Sequence, residues 1–447
     1  MNEPNRSSAV VIGGSMAGLL AARVLSERFG RVTVVERDEL EDTPTWRKGV
    51  PQGRHVHALM PAGARMLEQW FPGLRDDLVA DGAHLGDWGE VSWHQAGGYR
   101  KEIRSGIELI MASRPLIEHH VRRRVLALPN VSLRAGTSAD GLVLDGSTVT
   151  GVRVEGGQQL AATLVVDASG RGARSVKWLS ELGYDVPETS SIRIDMGYAT
   201  RLVRPDPRAP RVPACSIPDA PSLRGGIAFP IEGGEWLVTL GWWHGDRAPS
   251  DDAGYLDFAR GLSNPRIAQV LETAETVGDV MTHGMPASQR RHVERLRRVP
   301  GGLVLLGDAI CSFNPIYGQG MTSAAFQAEC LADALDRVDG TGSRFVRTYY
   351  KRASKAVDTP WQISAGGDFA FPQTTGPKAP GTDLMNVYLK KVFRASHTSP
   401  VVARRVLEVT ALLAPPTVLL RPGMVAAVLS AGRRPAAYAP PALAAQR

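Results

Sequence analysis

Three stretches of this chain place an acidic side chain and small residues directly after an apolar run. In the first, Ala9-Val10-Val11-Ile12 leads into Gly13, Gly14, Ser15, Met16, Ala17 and Gly18. A helical pattern follows, with Leu20, Ala21, Val24 and Leu25 on one face. After Gly30 a second apolar run ends in Glu36 and Arg37. Glycines let the backbone approach a diphosphate at a helix N-terminus, where free amides and the helix dipole favour an anion. The Glu36 carboxylate can accept hydrogen bonds from ribose hydroxyls and would repel a 2′-phosphate. Strand, glycine turn, helix, strand and acid in this order match the dinucleotide-binding fingerprint, and the acid selects FAD or NAD over NADP. Ser15 stands where the fingerprint has its middle glycine; serine is small, and its hydroxyl is expected to cap the helix. Arg37, beside Glu36, joins the candidate cofactor contacts.

The second stretch is Leu164-Val165-Val166-Asp167-Ala168-Ser169-Gly170-Arg171-Gly172. The third runs from Leu303 through Gly307-Asp308 to Pro315, Gly318, Gly320 and Met321. A carboxylate at the end of a buried strand is costly unless something uses it. An NAD enzyme has no obvious need for two further acid-and-glycine turns. A flavin does, because its ribityl chain and ring extend well beyond the adenosine.

At these residues the chain resembles the single-component FAD-dependent monooxygenases of the aromatic hydroxylase fold. Gly13 to Gly18 with Glu36 matches the first motif of that family, Asp167 to Gly172 the second, and Gly307-Asp308 with Pro315 to Gly320 the last. The resemblance implies that Asp308 accepts a hydrogen bond from a ribityl hydroxyl. It also implies that Pro315 and Gly318 to Gly320 bring bare backbone to the flavin pyrimidine, at the start of a helix opened by Met321. Two further segments resemble the family's actinobacterial biosynthetic branch. Arg47 to Leu59 would lie along the FAD with Arg47 near the flavin. Ser113-Arg114-Pro115-Leu116-Ile117-Glu118 would bring Arg114 to the cofactor. The Arg47–Leu59 segment and Asn314-Pro315-Ile316-Tyr317-Gly318-Gln319-Gly320 are similar to those of the flavin epoxidases of polyether antibiotic biosynthesis.

What the resemblance implies is insertion of one oxygen atom from O₂ through a flavin C(4a)-hydroperoxide. Epoxidation of alkenes in a large polyene- or polyketide-type substrate of secondary metabolism comes first, and hydroxylation of a natural-product ring second. A prenyl reductase or a non-catalytic flavin protein stands further off. NAD(P)H, directly or through a separate flavin reductase, would supply electrons. The chemistry is borne by the flavin, so no catalytic dyad or triad is required, and none is visible. The WxWxIP signature of flavin halogenases is absent; Trp242-Trp243 does not match it.

These motifs are far apart in sequence and must meet in space. The fold expected is α/β: a Rossmann-like FAD-binding domain with an inserted antiparallel-sheet substrate domain and C-terminal helices. The FAD domain takes segments 1–80, 106–184 and 286–345, and the insertions are 81–105 and 185–285. Residues 193–203, 225–230 and 235–243 alternate as strands that would cover the flavin. Trp88, Trp93, Trp236 and Trp242 lie in the insertions and are candidates to line a large apolar pocket, or else to pack sheet against domain. Residues 346–447 read as closing helices, with a loose Pro/Ala tail after Ala431.

Bulk properties narrow the partners. The 447 residues are 43% hydrophobic and 22% charged, as in ordinary globular chains. The net charge of +7 comes from scattered arginines. Runs such as Arg122-Arg123-Arg124 lack interleaved aromatics and read as solvated helix faces, not a nucleic-acid surface. Cys215, Cys311 and Cys330 have no disulfide or metal spacing, and Cys311 reads as a packing residue. His55 and His57 have no third ligand nearby, so no metal is expected, and both read as structural or cofactor-side. The stretch 406–429 is broken by Pro415, Pro416, Arg421 and Pro422, so amphipathic packing is expected there and no stable membrane insertion. Reduced cysteines and a polar Met1–Ser8 without a signal-peptide core point to the cytoplasm.

Overall fold

The computed structural model describes residues 7–206 and 212–431. Its centre is a parallel sheet whose inner strands are almost wholly apolar, because both faces are covered. β1 (Ala9–Ile12) lies between β2 (Val32–Val35) and β11 (Leu164–Asp167). β17 (Leu303–Leu305) and β7 (Val131–Arg134) form the edges, in the order β17-β11-β1-β2-β7. Against one face pack α1 (Met16–Ser26), α4 (Arg114–Leu126), α8 (Gly320–Arg337) and α9 (Ser343–Asp368), with Leu20, Leu25, Ile117, Leu331 and Tyr349 fully buried. The shorter α2 (Pro61–Trp70) and α3 (Leu74–Ala80) extend this layer. The other face is closed by a small antiparallel sheet, β8 (Ala139–Asp145), β9 (Thr148–Val154) and β10 (Gln159–Ala161), together with α5 (Ser175–Glu181).

A second sheet of eight strands stands over the C-terminal ends of β1, β11 and β17. Its order is β18-β16-β12-β15-β14-β13-β4-β5. The strands are β4 (Ser92–Gln95), β5 (Gly98–Tyr99), β12 (Thr189–Arg204), β13 (Ala214–Ser216), β14 (Arg224–Pro230), β15 (Trp236–Trp242), β16 (Glu275–Arg291) and β18 (Cys311–Ser312). All pairs are antiparallel except β13 with β4. Register sets Thr200 opposite Thr239 and Met281, and Tyr198 opposite Gly241 and His283. With the two-residue period of strands, this sorts the side chains. Ala199, Val203, Trp236, Val238, Leu240 and Trp242 pack beneath α6 (Asp252–Arg260) and α7 (Arg266–Thr273). Tyr198, Thr200, Leu202, Leu237 and Thr239 face the nucleotide half.

β3 (His84–Asp87) pairs with β6 (Glu108–Met111) where the first insertion leaves and re-enters. α10 (Thr382–Ser396), α11 (Pro400–Thr410) and α12 (Pro422–Ala431) close the molecule around their own core, and Leu407 and Ala411 reach the cluster beneath β3 and β6. The architecture is the α/β arrangement expected. One boundary falls elsewhere. The substrate sheet does not stop at 285: β16 continues to Arg291 and pairs with β18, inside the segment assigned to the nucleotide domain. Its last residues hide their alternation because the buried ones, Ser288 and Arg290, are polar. Among the described residues no helix is long and apolar enough to cross a membrane. The expected Pro/Ala tail after Ala431 lies outside the described residues.

Candidate functional site

The three acid-and-glycine turns converge at the C-terminal edge of the parallel sheet. Ile12 is in register with Asp167, and the amide of Ala168 donates to the Ile12 carbonyl at 2.9 Å. Gly13 has φ +100°, and a Cβ there would lie 2.7 Å from the Ala168 oxygen. Gly307 has φ +72°, and a Cβ there would meet the Ala17 methyl at 2.6 Å. At Gly18 a Cβ would lie 1.8 Å from the Gly13 oxygen, so only glycine lets α1 approach its own turn. Glu36 is buried at the end of β2, and its carboxylate accepts from the amides of Gly14 at 2.7 Å and Asp38 at 3.0 Å. Arg37, next to it, is exposed.

At the first two turns Ser15 and Asp167 are engaged by the protein itself. Ser15 precedes α1, yet its hydroxyl does not cap the helix. It donates to Glu118 Oε2 at 3.1 Å and accepts from Arg114 Nη2 at 2.9 Å. Asp167 turns its carboxylate into the protein. It is 1% exposed and accepts from the Ser169 amide at 2.9 Å, from the Ser169 hydroxyl at 2.5 Å and from the Ser175 hydroxyl. Its turn is held from within, and the carboxylate is consumed in holding it.

Around the first turn lies a cluster that spacing alone does not reveal. Arg47 Nη1 is 3.1 Å from Glu36 Oε2 and 3.3 Å from Asp38 Oδ2, while its Nε donates to Glu118 Oε1 at 2.9 Å. Arg114, at the start of α4, is 2.7 Å from Glu118 Oε2. Burial works to raise the Glu118 pKa, but Arg114 and Arg47 hold it below the ordinary carboxylate value. Arg47 and Arg114 thus come together from separate segments beside the glycine turn; Arg47, which the resemblance puts near the flavin, is held instead at Glu36 and Asp38, the acids that follow β2.

Asp308 behaves differently from Asp167. It is half-buried and has no hydrogen-bond partner among the described residues. Burial raises its pKa to about 6, against the pull of Arg171 and Arg114. An unpartnered carboxylate between two arginine fields suits a ligand hydroxyl that donates to it. Beyond it, Asn314 opens the turn Pro315–Tyr317, and Gly318 takes φ +63°. Gly318 packs on Met60 and Ala58: a Cβ there would come within 2.4 Å of the Met60 methyl and 3.3 Å of the Ala58 Cβ, so its bare side receives the end of the Arg47–Leu59 segment. Gly320 faces open space at the N-terminus of α8, whose first amides lack intrahelical acceptors. Met321, the next residue, is buried in the core. Under the turn sits Asp368, 1% exposed, at the end of α9. Its Oδ1 accepts from Asn314 Nδ2 at 2.7 Å and from the Tyr317 hydroxyl at 3.4 Å. Its Oδ2 has no partner among the described residues, and burial raises its pKa to about 7.

The Arg47–Leu59 segment is stitched to the inner face of the second sheet. His55 Nδ1 is 2.7 Å from the Thr200 hydroxyl, which is 2.6 Å from that of Thr239. The Val56 amide donates to Thr239 at 3.3 Å. The His55 ring meets Tyr198 edge-on at 4.4 Å. Burial, with help from His57, lowers the His55 pKa to about 3; burial and Arg114 lower that of His57 to about 4. Both rings are neutral at neutral pH.

The tryptophans separate. Trp88 and Trp93 lie 6.2 Å apart in a cluster with Met60, Phe229 and Leu237, on the side of the Val56–Ala58 stretch. Trp236 and Trp242 point the other way, into the core under α6 and α7, and do not line a site at the flavin turns. The two-residue alternation was readable, but which face the helices cover was not. Trp243, one residue on, faces inward and stacks on Phe371 at 5.9 Å. Cys311 packs in the core, where burial pushes its thiol pKa up.

The cradle at Gly13, the two arginines, the unpartnered Asp308 carboxylate and the open helix start at Gly320 fit an extended dinucleotide that continues past its diphosphate. A parallel sheet with these three turns, roofed by an antiparallel sheet, defines the FAD-dependent oxygenase class. Residues 6–359 match the FAD binding domain family, and the chain belongs to it: it is a flavin-dependent monooxygenase with FAD as cofactor. Protein Rv3254 of Mycobacterium tuberculosis is 35% identical over 437 residues, covering 91% of this chain and 90% of that protein. The 6-methylpretetramide 4-monooxygenase of Streptomyces rimosus is 26% identical over 343 residues, covering 70% and 71%. Among solved structures, the flavin-dependent brominase Bmp2 superposes with a TM-score of 0.66 at 16% identity, over 95% of this chain and 97% of that one. That likeness speaks for the fold alone.

Proposed function

We propose that this monooxygenase transfers one oxygen atom from O₂ to an alkene of a large apolar natural product, giving an epoxide. The observation that carries this reading is the character of the seam between the inner sheet face and the Arg47–Leu59 segment. Its half-buried apolar groups are Val56, Ala58, Ile227 and Ile316, and its histidines His55 and His57 are neutral and too weakly basic to take a proton from a phenol at neutral pH. Oxygen transfer to an alkene needs no proton removed from the substrate; it needs a fixed approach and the exclusion of water.

In this reading Glu36 takes the adenosine ribose, Arg47 and Arg114 the diphosphate, Asp308 the ribityl chain, and the amides at Gly320 and Met321 the ring. Bound FAD, reduced by NADH, NADPH or a separate flavin reductase, supplies the electrophilic oxygen. His55, Thr200 and Thr239 keep the segment seated on the sheet, so the substrate meets a rigid wall. The resemblance of the Arg47–Leu59 segment to the polyether epoxidases supports the alkene. A second reading, hydroxylation of a polycyclic aromatic ring, is favoured by the similarity to the 6-methylpretetramide 4-monooxygenase.

The test is turnover under ¹⁸O₂ with a polyene and with a polycyclic phenol, comparing NADH, NADPH and an added flavin reductase. Polyene product heavier by one labelled oxygen, and opened by acid to a diol, supports the first reading. A labelled ring hydroxyl on the phenol alone moves the assignment to the second. Unlabelled product, or no substrate-linked oxygen uptake with either compound, overturns both.

A further inference from the structure

We propose that Glu118 is a positioning residue for FAD, which aims Arg47 and Arg114 at the diphosphate, and that Ser15 replaces the fingerprint glycine in order to join this arrangement. The proposal rests on the reading that these two arginines face the diphosphate.

Glu118 is 4% exposed and stands one turn into α4. Its two oxygens are divided between segments far apart in the chain. Oε1 accepts from Arg47 Nε at 2.9 Å, while Arg47 Nη2, 2.8 Å away, is buried and makes no hydrogen bond among the described residues. Oε2 takes Arg114 Nη1 at 2.7 Å and the Ser15 hydroxyl at 3.1 Å. Arg114 Nη2 then closes a triangle on Ser15 at 2.9 Å. Arg122 adds a more distant contact at 3.8 Å. A buried carboxylate beside an anion-binding turn has the wrong sign for the ligand. Its place makes sense if ordering the arginines outweighs that repulsion. Arginine side chains lose much rotamer freedom when they engage a ligand, and fixing them beforehand removes that cost from binding. Ser15 is the part a glycine could not supply: it holds Arg114 and Glu118 to the turn that approaches the diphosphate.

The two effects have opposite signs, so titration of the deflavinated full-length protein with FAD separates them. Simple electrostatics makes Glu118→Gln bind FAD more tightly. Positioning makes it bind at least tenfold more weakly. In an Arg47→Ala/Arg114→Ala background there is nothing left to aim, and Glu118→Gln then leaves FAD affinity unchanged or improves it. Ser15→Gly weakens binding in the wild-type background and has little further effect with Glu118→Gln. Equal weakening by Glu118→Gln in both backgrounds would assign Glu118 a merely structural role and overturn the proposal. So would unchanged or tighter binding in the wild-type background. If Glu118→Gln does not fold, Glu118→Asp serves: it keeps the charge but withdraws the carboxylate, and affinity equal to wild type refutes positioning. Should Arg47→Ala/Arg114→Ala itself bind FAD as the wild type does, the underlying reading of the arginines fails, whatever Glu118 does.

Discussion

Asp308 shows how one buried carboxyl ties the stability of the folded chain to pH. Burial raises its pKa from 3.8 to about 6. Between those values the folded chain without FAD keeps a proton that the unfolded chain has released, so stability is fullest below about pH 4 and falls as pH rises through 6. Asp368, raised to about 7, adds a decline of the same sign. Melting temperature followed from pH 4 to 7 on deflavinated protein should therefore fall less steeply in Asp308→Asn; an unchanged slope would place the titration elsewhere. Asp308→Ala should also purify with much less FAD, and full occupancy would remove Asp308 from the ribityl contact. Residues such as Gly13, Glu36 and Asp308 were legible in the sequence because glycines and an acid after an apolar run form a local pattern. Glu118 was not, because its partners Ser15 and Arg47 come from distant segments and a glutamate on a basic helix reads as a surface ion pair. Asp167 was legible as part of a turn but not in its role, since Ser169 and Ser175 decide where the carboxylate points.

At the level of elements, the end of α9 is the support of the Asn314–Gly318 turn. Asp368 reaches Asn314 and Tyr317, Gly367 admits the Tyr317 hydroxyl with no room for a side chain, and Phe371 stacks on Trp243 of the substrate sheet. Asp368→Ala strands the buried Asn314 amide and should cost about 1–3 kcal/mol, seen as a lower melting temperature. The displaced turn should also divert more reducing equivalents to hydrogen peroxide. Asp368→Asn keeps an acceptor for Asn314 and should restore most of both; wild-type coupling in the alanine variant would deny the turn any dependence on α9. The period-two strands β12 and β15 were legible as strands. Their orientation was not, because Thr200 and Thr239 face the site while Trp236 and Trp242, the more conspicuous residues, face α6 and α7.

For the whole molecule, the nucleotide half is built from three stretches of chain, and each carries a residue proposed to hold the cofactor: Glu36, Arg114 and Asp308. FAD should then stabilise all of them together, by about 2.7 kcal/mol at a free concentration a hundredfold above its Kd. Calorimetry should show one transition that moves upward with added FAD. Two transitions, only one of them FAD-dependent, would mean that the sheet half melts by itself. The long strand β16 argues for the single transition. It pairs with β12 along the substrate sheet and, at Gln289 and Arg290, with β18, which runs into the Asn314–Gly318 turn. That continuity works as a ruler. The reach from the substrate sheet to the Asn314–Gly318 turn is counted out in backbone repeats of β16, offset by the irregularity in its pairing with β12 between Met285 and Ala287. A change in the size of molecule accepted would then come from the bulk of inner-face side chains such as Ile227, Thr239 and Met281, one residue at a time, while the clearance itself stays the same.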